Sequence, residues 1–374
     1  MAAVVLATVV PGHSSAAADP RPGDVLRAEP AVFTVDPLLR LPVPGVRATR
    51  VLYHSSTATG EPNTVSGTVL VPAAPHRGPR PVVGYAVGTH GLGDDCAPSR
   101  QMSRGTETEA LQISGLLARG WAVAVTDYEG LGTPGQHTYM VGPSAGHAVL
   151  DVVRAAIRLP AAGLSTDSPV AVWGYSQGGA AAGWAAQEHP RYAPELKMAG
   201  VVAGGVPADV AAVARHLDGG PFFGLGMAAA IGLDAAFPEL SLPDHLTDAG
   251  RALVAAHRDD CLIGLLPPFA LRTFAQLTTT DLLAHPQWQA AFDRSRLGGT
   301  APSAPVLLQH GLLDEVIPYS VGTGLRDRYC AQGVTVEFQT YAPADHVLGA
   351  LVTAPAATAW LGDRFANAPT TDTC

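Results

Sequence analysis

Charged side chains are scarce in this 374-residue chain: Asp, Glu, Lys and Arg together make up 15% of it, against about 25% in an average soluble protein. Lysine is almost missing, with Lys197 the only one. No cluster of basic residues occurs, and the formal net charge is −9. A partner that is a nucleic acid is therefore not expected, because phosphate neutralisation needs a basic stripe. Hydrophobic residues reach 47%, which excludes the acidic disordered class. No fixed-period repeat is visible. H-E-x-x-H, EF-hand loops and a Walker lysine are all missing, so no metal or other cofactor is expected.

Cysteine is also sparse. Cys96, Cys261, Cys330 and Cys374 stand far apart and form no C-x-x-C pair, which excludes a zinc ribbon or a thioredoxin-type redox motif. Four cysteines allow three pairings, and spacing does not choose among them. The compartment is read from the N-terminus, where Met1 to Val10 is apolar and Ala16-Ala17-Ala18 offers a small-residue cleavage site. About ten apolar residues are too few to span a bilayer. Residues 1–18 are thus expected to be a signal-peptide-like segment of a secreted protein, in which disulfides are favoured.

From residue 19 to 45 the Pro- and Asp-rich chain reads as an irregular arm. Arg47 to Tyr53 and Thr64 to Val71 read as a hairpin. Apolar runs then alternate with helical stretches. The strand-like runs are Val82 to Val87, Ala122 to Thr126, Pro169 to Trp173, Ala199 to Val202, Pro305 to Gln309 and Thr335 to Gln339. Helical stretches are Glu107 to Arg119, Ala145 to Arg158, Gly178 to Glu188, Val321 to Ala331 and Ala354 to Phe365. Such alternation predicts an α/β fold: a mostly parallel central sheet with helices on both faces. Strand ends then share one edge, where α/β enzymes build their sites. Residues 206–299 carry no convincing strand and read as a mostly helical cap or lid inserted into a core of residues 19–205 and 300–374. Within the insertion, helices are expected at Asp209 to His216, Thr247 to His257, Pro268 to Leu277 and Trp288 to Arg294. The apolar run Pro221 to Leu233 is expected to be a buried cap helix, or else a surface that meets lipid or walls an acyl pocket.

Gly174-Tyr175-Ser176-Gln177-Gly178 is a G-x-S-x-G between a strand-like run and a small-residue helix. That turn forces strained dihedrals on the serine, and side chains at Gly174 and Gly178 would strike neighbouring backbone. Ser176 is therefore the expected nucleophile, with the Gln177 N–H free to meet an oxyanion. A serine needs a base and an orienting acid, in the chain order Ser, Asp or Glu, His. Asp314 follows the strand at Pro305 to Gln309, and His346 follows the next strand; these complete the expected catalytic set. Glu315 is the nearest rival to Asp314, while Asp345 adjoins His346 and its side chain diverges from it.

The second oxyanion donor is expected in the loop Gly88 to Ser99, with Leu92 and Asp95 both open on spacing. Gly130 to Gly135 matches G-x-G-x-x-G but reads as a turn, since no helix starts at its second glycine.

The set GYSQGG, HGLLDEVIP, ADHVLG and DDCAPS resembles the secretory lipase family of lipase A type, a branch of the α/β-hydrolases. The resemblance implies a Ser176, Asp314 and His346 triad that hydrolyses carboxylic esters, acylglycerols among them. It also implies oxyanion donors at Gln177 and Asp95, disulfides Cys96–Cys261 and Cys330–Cys374, and an ester substrate; transient lipid contact through the cap is expected from its apolar run. Gln177 replaces the glycine that usually follows the nucleophile and crowds the acyl side of the elbow. An acyltransferase or a peptidase on the same triad, or a non-catalytic binding protein on this scaffold, are the alternatives.

Overall fold

The computed structural model describes residues 20–374; the signal-like segment falls outside the described residues. Nine strands form one sheet in the order β1-β2-β3-β5-β4-β6-β7-β8-β9. These are β1 Val25–Ala31, β2 Val46–Ser56, β3 Pro62–Pro72, β4 Val82–Ala86, β5 Ala122–Thr126, β6 Pro169–Tyr175, β7 Lys197–Gly204, β8 Val306–Gly311 and β9 Val336–Tyr341. Pairings from β4 and β5 through to β9 are parallel, whereas β1, β2 and β3 add an antiparallel flank. Every residue of β4, β5 and β8 is buried. Such strands lack an exposed polar face, which explains their unbroken apolar runs and part of the low charge.

Along the chain the core helices are α1 Pro98–Arg104, α2 Ala110–Ala118, α3 Gly142–Arg158 and α4 Gln177–Tyr192. Seven more follow β7: α5 Val210–Leu217, α6 Phe223–Ala236, α7 Leu242–His245, α8 Asp248–His257, α9 Leu262–Phe269, α10 Phe274–Leu277 and α11 Pro286–Arg294. The chain returns to the sheet at β8 and ends with α12 Tyr319–Ala331, α13 His346–Val352 and α14 Ala354–Phe365.

The inserted helices own a second apolar cluster around Phe223, Met227, Phe269 and Trp288, each fully buried. Burying such side chains contributes about 1.5–3 kcal/mol each. Leu92, Tyr139 and Val141 from the sheet-edge loops join that cluster and anchor it to the core. Helix α6 is thus an interior element, and no single described helix is long and apolar enough to cross a bilayer.

Three local expectations are corrected. The arm contains β1, an edge strand whose side chains are largely exposed, so it shows no apolar alternation. The expected helix Pro268 to Leu277 is instead α9 and α10, with the chain turning at Leu271 in a left-handed conformation, φ 60°. Leu265 and Phe269, four residues apart, bury one face of α9 and bring the helix start back to Leu262. His346 does not sit in a loop; it opens α13, which Asp345 caps by accepting the Leu348 N–H at 2.7 Å.

Both disulfides are formed, Cys96–Cys261 and Cys330–Cys374. The first joins the loop after β4 to the start of α9. Backbone hydrogen bonds reinforce it, from Leu92 N to Asp260 O at 3.0 Å and from Leu262 N to His90 O at 2.9 Å.

Candidate active site

Strand β6 runs directly into α4 through Ser176, whose backbone sits at φ 59° and ψ −124°. A serine seldom adopts this conformation, and the surrounding packing imposes it. A Cβ on Gly178 would collide with the Ala86 carbonyl, and one on Gly174 with the Gly178 carbonyl. Both glycines are therefore steric necessities of the turn.

The Ser176 Oγ lies 2.9 Å from His346 Nε2, and His346 Nδ1 lies 2.7 Å from Asp314 Oδ2. The side chain of Asp314 is fully buried. Its other oxygen accepts the N–H groups of Val316 at 3.0 Å and Ile317 at 2.7 Å. These bonds fix the orientation of the carboxylate. Glu315 serves differently: its carboxylate accepts the His346 backbone N–H at 3.1 Å. A second histidine, His310, donates from Nε2 to the Ile317 carbonyl at 3.0 Å. Burial lowers its pKa against the pull of that bond and of Asp314.

Gln177 is buried, and its side-chain nitrogen lies 3.0 Å from His137 Nε2. His137 Nδ1 lies 2.7 Å from the Glu129 carbonyl. The carbonyl only accepts, so Nδ1 carries the proton and Nε2 accepts from Gln177. Burial holds the His137 pKa down to about 4, against the Glu129 bond and with a small further push from His90. A narrow apolar cavity of about 30 Å³ opens beside Ser176 and Gln177, walled by Val210, Val213, Ala214, Leu217 and Ala229 of α5 and α6. A second, smaller cavity of about 10 Å³ is also lined by Gln177, together with His137 and Trp184. The side chain of Gln177 thus belongs to the wall between them.

Beneath the loop after β4 lies a buried polar cluster that the sequence did not single out. Glu109 accepts the Gly88 N–H at 2.5 Å and the Tyr85 hydroxyl at 2.6 Å. His90 Nδ1 donates to the Gly88 carbonyl at 2.8 Å, and its Nε2 donates to Glu107 at 2.9 Å. Both partners are acceptors, so both ring nitrogens carry protons and His90 is an imidazolium. Burial opposes that charge, yet Glu107 and the Gly88 carbonyl raise the His90 pKa to about 9. Burial, with the charge of Glu107, pushes Glu109 up to about 7 despite its two donors. Glu107 and Glu109 were read as the start of a helix, but α2 begins only at Ala110. Two acids one residue apart in a chain this poor in charge were the available signal.

The Asp95 side chain points outward and pairs with Arg100 at 2.8 Å and Arg104 at 3.3 Å. The loop residue packed on the nucleophile is Gly88, where a Cβ would stand 4.0 Å from Ser176 Cβ and 3.4 Å from the Tyr175 carbonyl. Gly130, Gly132 and Gly135 take positive φ in a turn, and the next helix opens only at Gly142. A nucleotide cradle is therefore absent there. Among the described residues, no group of three or more His, Cys, Asp and Glu is placed to hold a metal ion.

Residues 97–373 match the secretory lipase family. A secreted triacylglycerol lipase of Malassezia globosa is 31% identical over 94% of this chain and 78% of its own. A Mycobacterium tuberculosis protein named a probable inactive lipase is 33% identical over 94% of this chain and 80% of its own. The crystal structure of Candida antarctica lipase A superposes with a TM-score of 0.85 at 25% identity, covering 95% of this chain and 84% of that one. The chain belongs to the secretory lipase family and is a carboxylic ester hydrolase of the lipase and esterase type, built on an α/β-hydrolase fold.

Proposed function

We propose that the chain is an extracellular hydrolase of acyl esters that works through a covalent acyl-enzyme on Ser176, with His346 and Asp314 as its base and orienting acid. The observation that carries this reading is the continuous chain of hydrogen bonds from Ser176 Oγ through His346 to Asp314. As Ser176 Oγ attacks the ester carbonyl carbon, its proton passes to His346 Nε2. Asp314 holds Nδ1–H and stabilises the imidazolium. The oxygen of the tetrahedral intermediate meets the Gln177 N–H and a donor from the loop after β4. Collapse expels the alcohol, which takes the proton from His346. Water, deprotonated by His346, then releases the acid and restores Ser176.

The apolar lining of the cavity beside Ser176 suits the first part of an acyl chain, and the segment 206–299 acts as the cap that walls it. Contact with a lipid surface was expected through this cap. Exposed apolar side chains argue for a broader rim: Leu313 next to Asp314, Val347 and Leu351 on the helix that His346 opens, and Ile263 and Leu271 on the cap.

The test is Ser176→Ala. Turnover of p-nitrophenyl esters and labelling by a fluorophosphonate should both vanish while the thermal melt stays cooperative. Activity that survives the change would remove the serine mechanism.

A further inference from the structure

The two peptide units that flank Gly88 are held by side chains that no step of the acyl-transfer cycle uses. Gly88 N–H is bound by Glu109, and Gly88 C=O is bound by the His90 imidazolium, itself paired with Glu107. In a trans peptide the C=O and the following N–H point in opposite directions. Fixing the Gly88 carbonyl on His90 therefore turns the Thr89 N–H the other way. That N–H has no acceptor among the described residues. The Thr89 hydroxyl lies 2.9 Å from the Tyr139 hydroxyl, and Tyr139 lines the same cavity as Ser176 and Gln177. Gly88 itself packs on Ser176.

We propose that the Thr89 N–H is the second oxyanion donor, and that His90, Glu107 and Glu109 are positioning residues that aim it. This rests on the serine acyl-transfer reading above. The clamp matters because an oxyanion donor acts only if it is oriented before charge develops on the substrate. A glycine peptide without such a clamp would rotate easily. The Glu107–His90 pair has side chains 0% and 7% exposed, so the clamp is sheltered from screening by water. Here a buried ion pair orients backbone, whatever it adds to stability.

The decisive experiment replaces Thr89 with its α-hydroxy acid, which exchanges N–H for an ester oxygen and keeps the side chain. With p-nitrophenyl butyrate, kcat should fall about 10²–10³-fold, with KM changing less than about twofold. Inhibition by a trifluoromethyl ketone, whose serine adduct carries an oxyanion, should weaken by the same factor. Glu107→Gln should reproduce the pattern in milder form, whereas Glu109→Gln, which still offers an acceptor to Gly88, should retain more activity than Glu109→Leu. The same backbone exchange at Asp95 is the counter-test: a loss there and none at Thr89 would overturn the assignment. So would a Thr89 ester enzyme with unchanged kcat. Ser176→Ala separates the two readings. Turnover surviving that change removes the serine mechanism itself, whereas its loss, beside an unaffected Thr89 variant, removes only the donor assignment.

Discussion

Gln177 and His137 are bonded at 3.0 Å, and this bond holds the side chain that follows the nucleophile in the wall between two cavities. A glycine would serve the backbone donor equally well, so the side chain is a matter of substrate space. Gln177→Gly should join the cavities and shift preference toward longer acyl chains. The kcat/KM ratio of p-nitrophenyl palmitate to acetate should rise roughly tenfold, the scale of one or two methylenes in an apolar pocket. An unchanged ratio would remove Gln177 as a determinant of chain length.

His137 gives stability a predictable pH dependence. Its folded pKa is depressed to about 4 from 6.5. Below about pH 6.5 the unfolded chain takes up a proton that the folded chain refuses, and stability falls until the folded group titrates near 4. The difference is worth roughly 3 kcal/mol. Urea unfolding of the wild type and His137→Gln at pH 7 and pH 4 should show the wild type losing about that much more. Parallel losses in the two proteins would contradict the assignment.

The two disulfides should differ in worth. Cys96–Cys261 closes a sequence separation of 165 and Cys330–Cys374 one of 44. Chain entropy favours the longer loop by about 1 kcal/mol, within a range of about 2–4 kcal/mol for either. Paired Cys→Ser variants in guanidinium unfolding measure this. A reversed order would mean that native contacts, rather than the unfolded chain, set the effect.

Leu313→Asp and Leu351→Asp place charge on the apolar rim. Both positions are more than half exposed, at 60% and 52%, so folding should change by less than about 0.5 kcal/mol. Hydrolysis of emulsified acylglycerol should fall several-fold, while p-nitrophenyl acetate in solution should be cleaved at the wild-type rate. Equal loss on both substrates would show that the rim acts on chemistry rather than on contact with lipid.

The core was legible because the parallel strands are apolar on both faces, leaving β6 and its G-x-S-x-G conspicuous. Asp314 and His346 were legible because each follows a strand at the active edge, in the required chain order. Strand β1 was not, since an exposed edge strand has no buried face to mark in the sequence. His90, Glu107 and Glu109 were hidden for another reason. Their meaning lies in what they do to Gly88, and only the folded loop brings them to it. The pairing of the Asp95 side chain with Arg100 and Arg104 could not be read from spacing, and it leaves the backbone N–H, the group an oxyanion would meet, uncommitted.

The stitching of Cys261 to the loop after β4 limits how the site can open. Gly91 and Cys261 form a β-bridge, and hydrogen bonds and a disulfide flank it. A lid that swung on the start of α9 would carry His90 and the peptide beside Ser176 along with it, dismantling the anion site as it admitted substrate. Entry to the nucleophile therefore has to be hinged elsewhere, with the stitched segment as the fixed jamb against which any moving part closes.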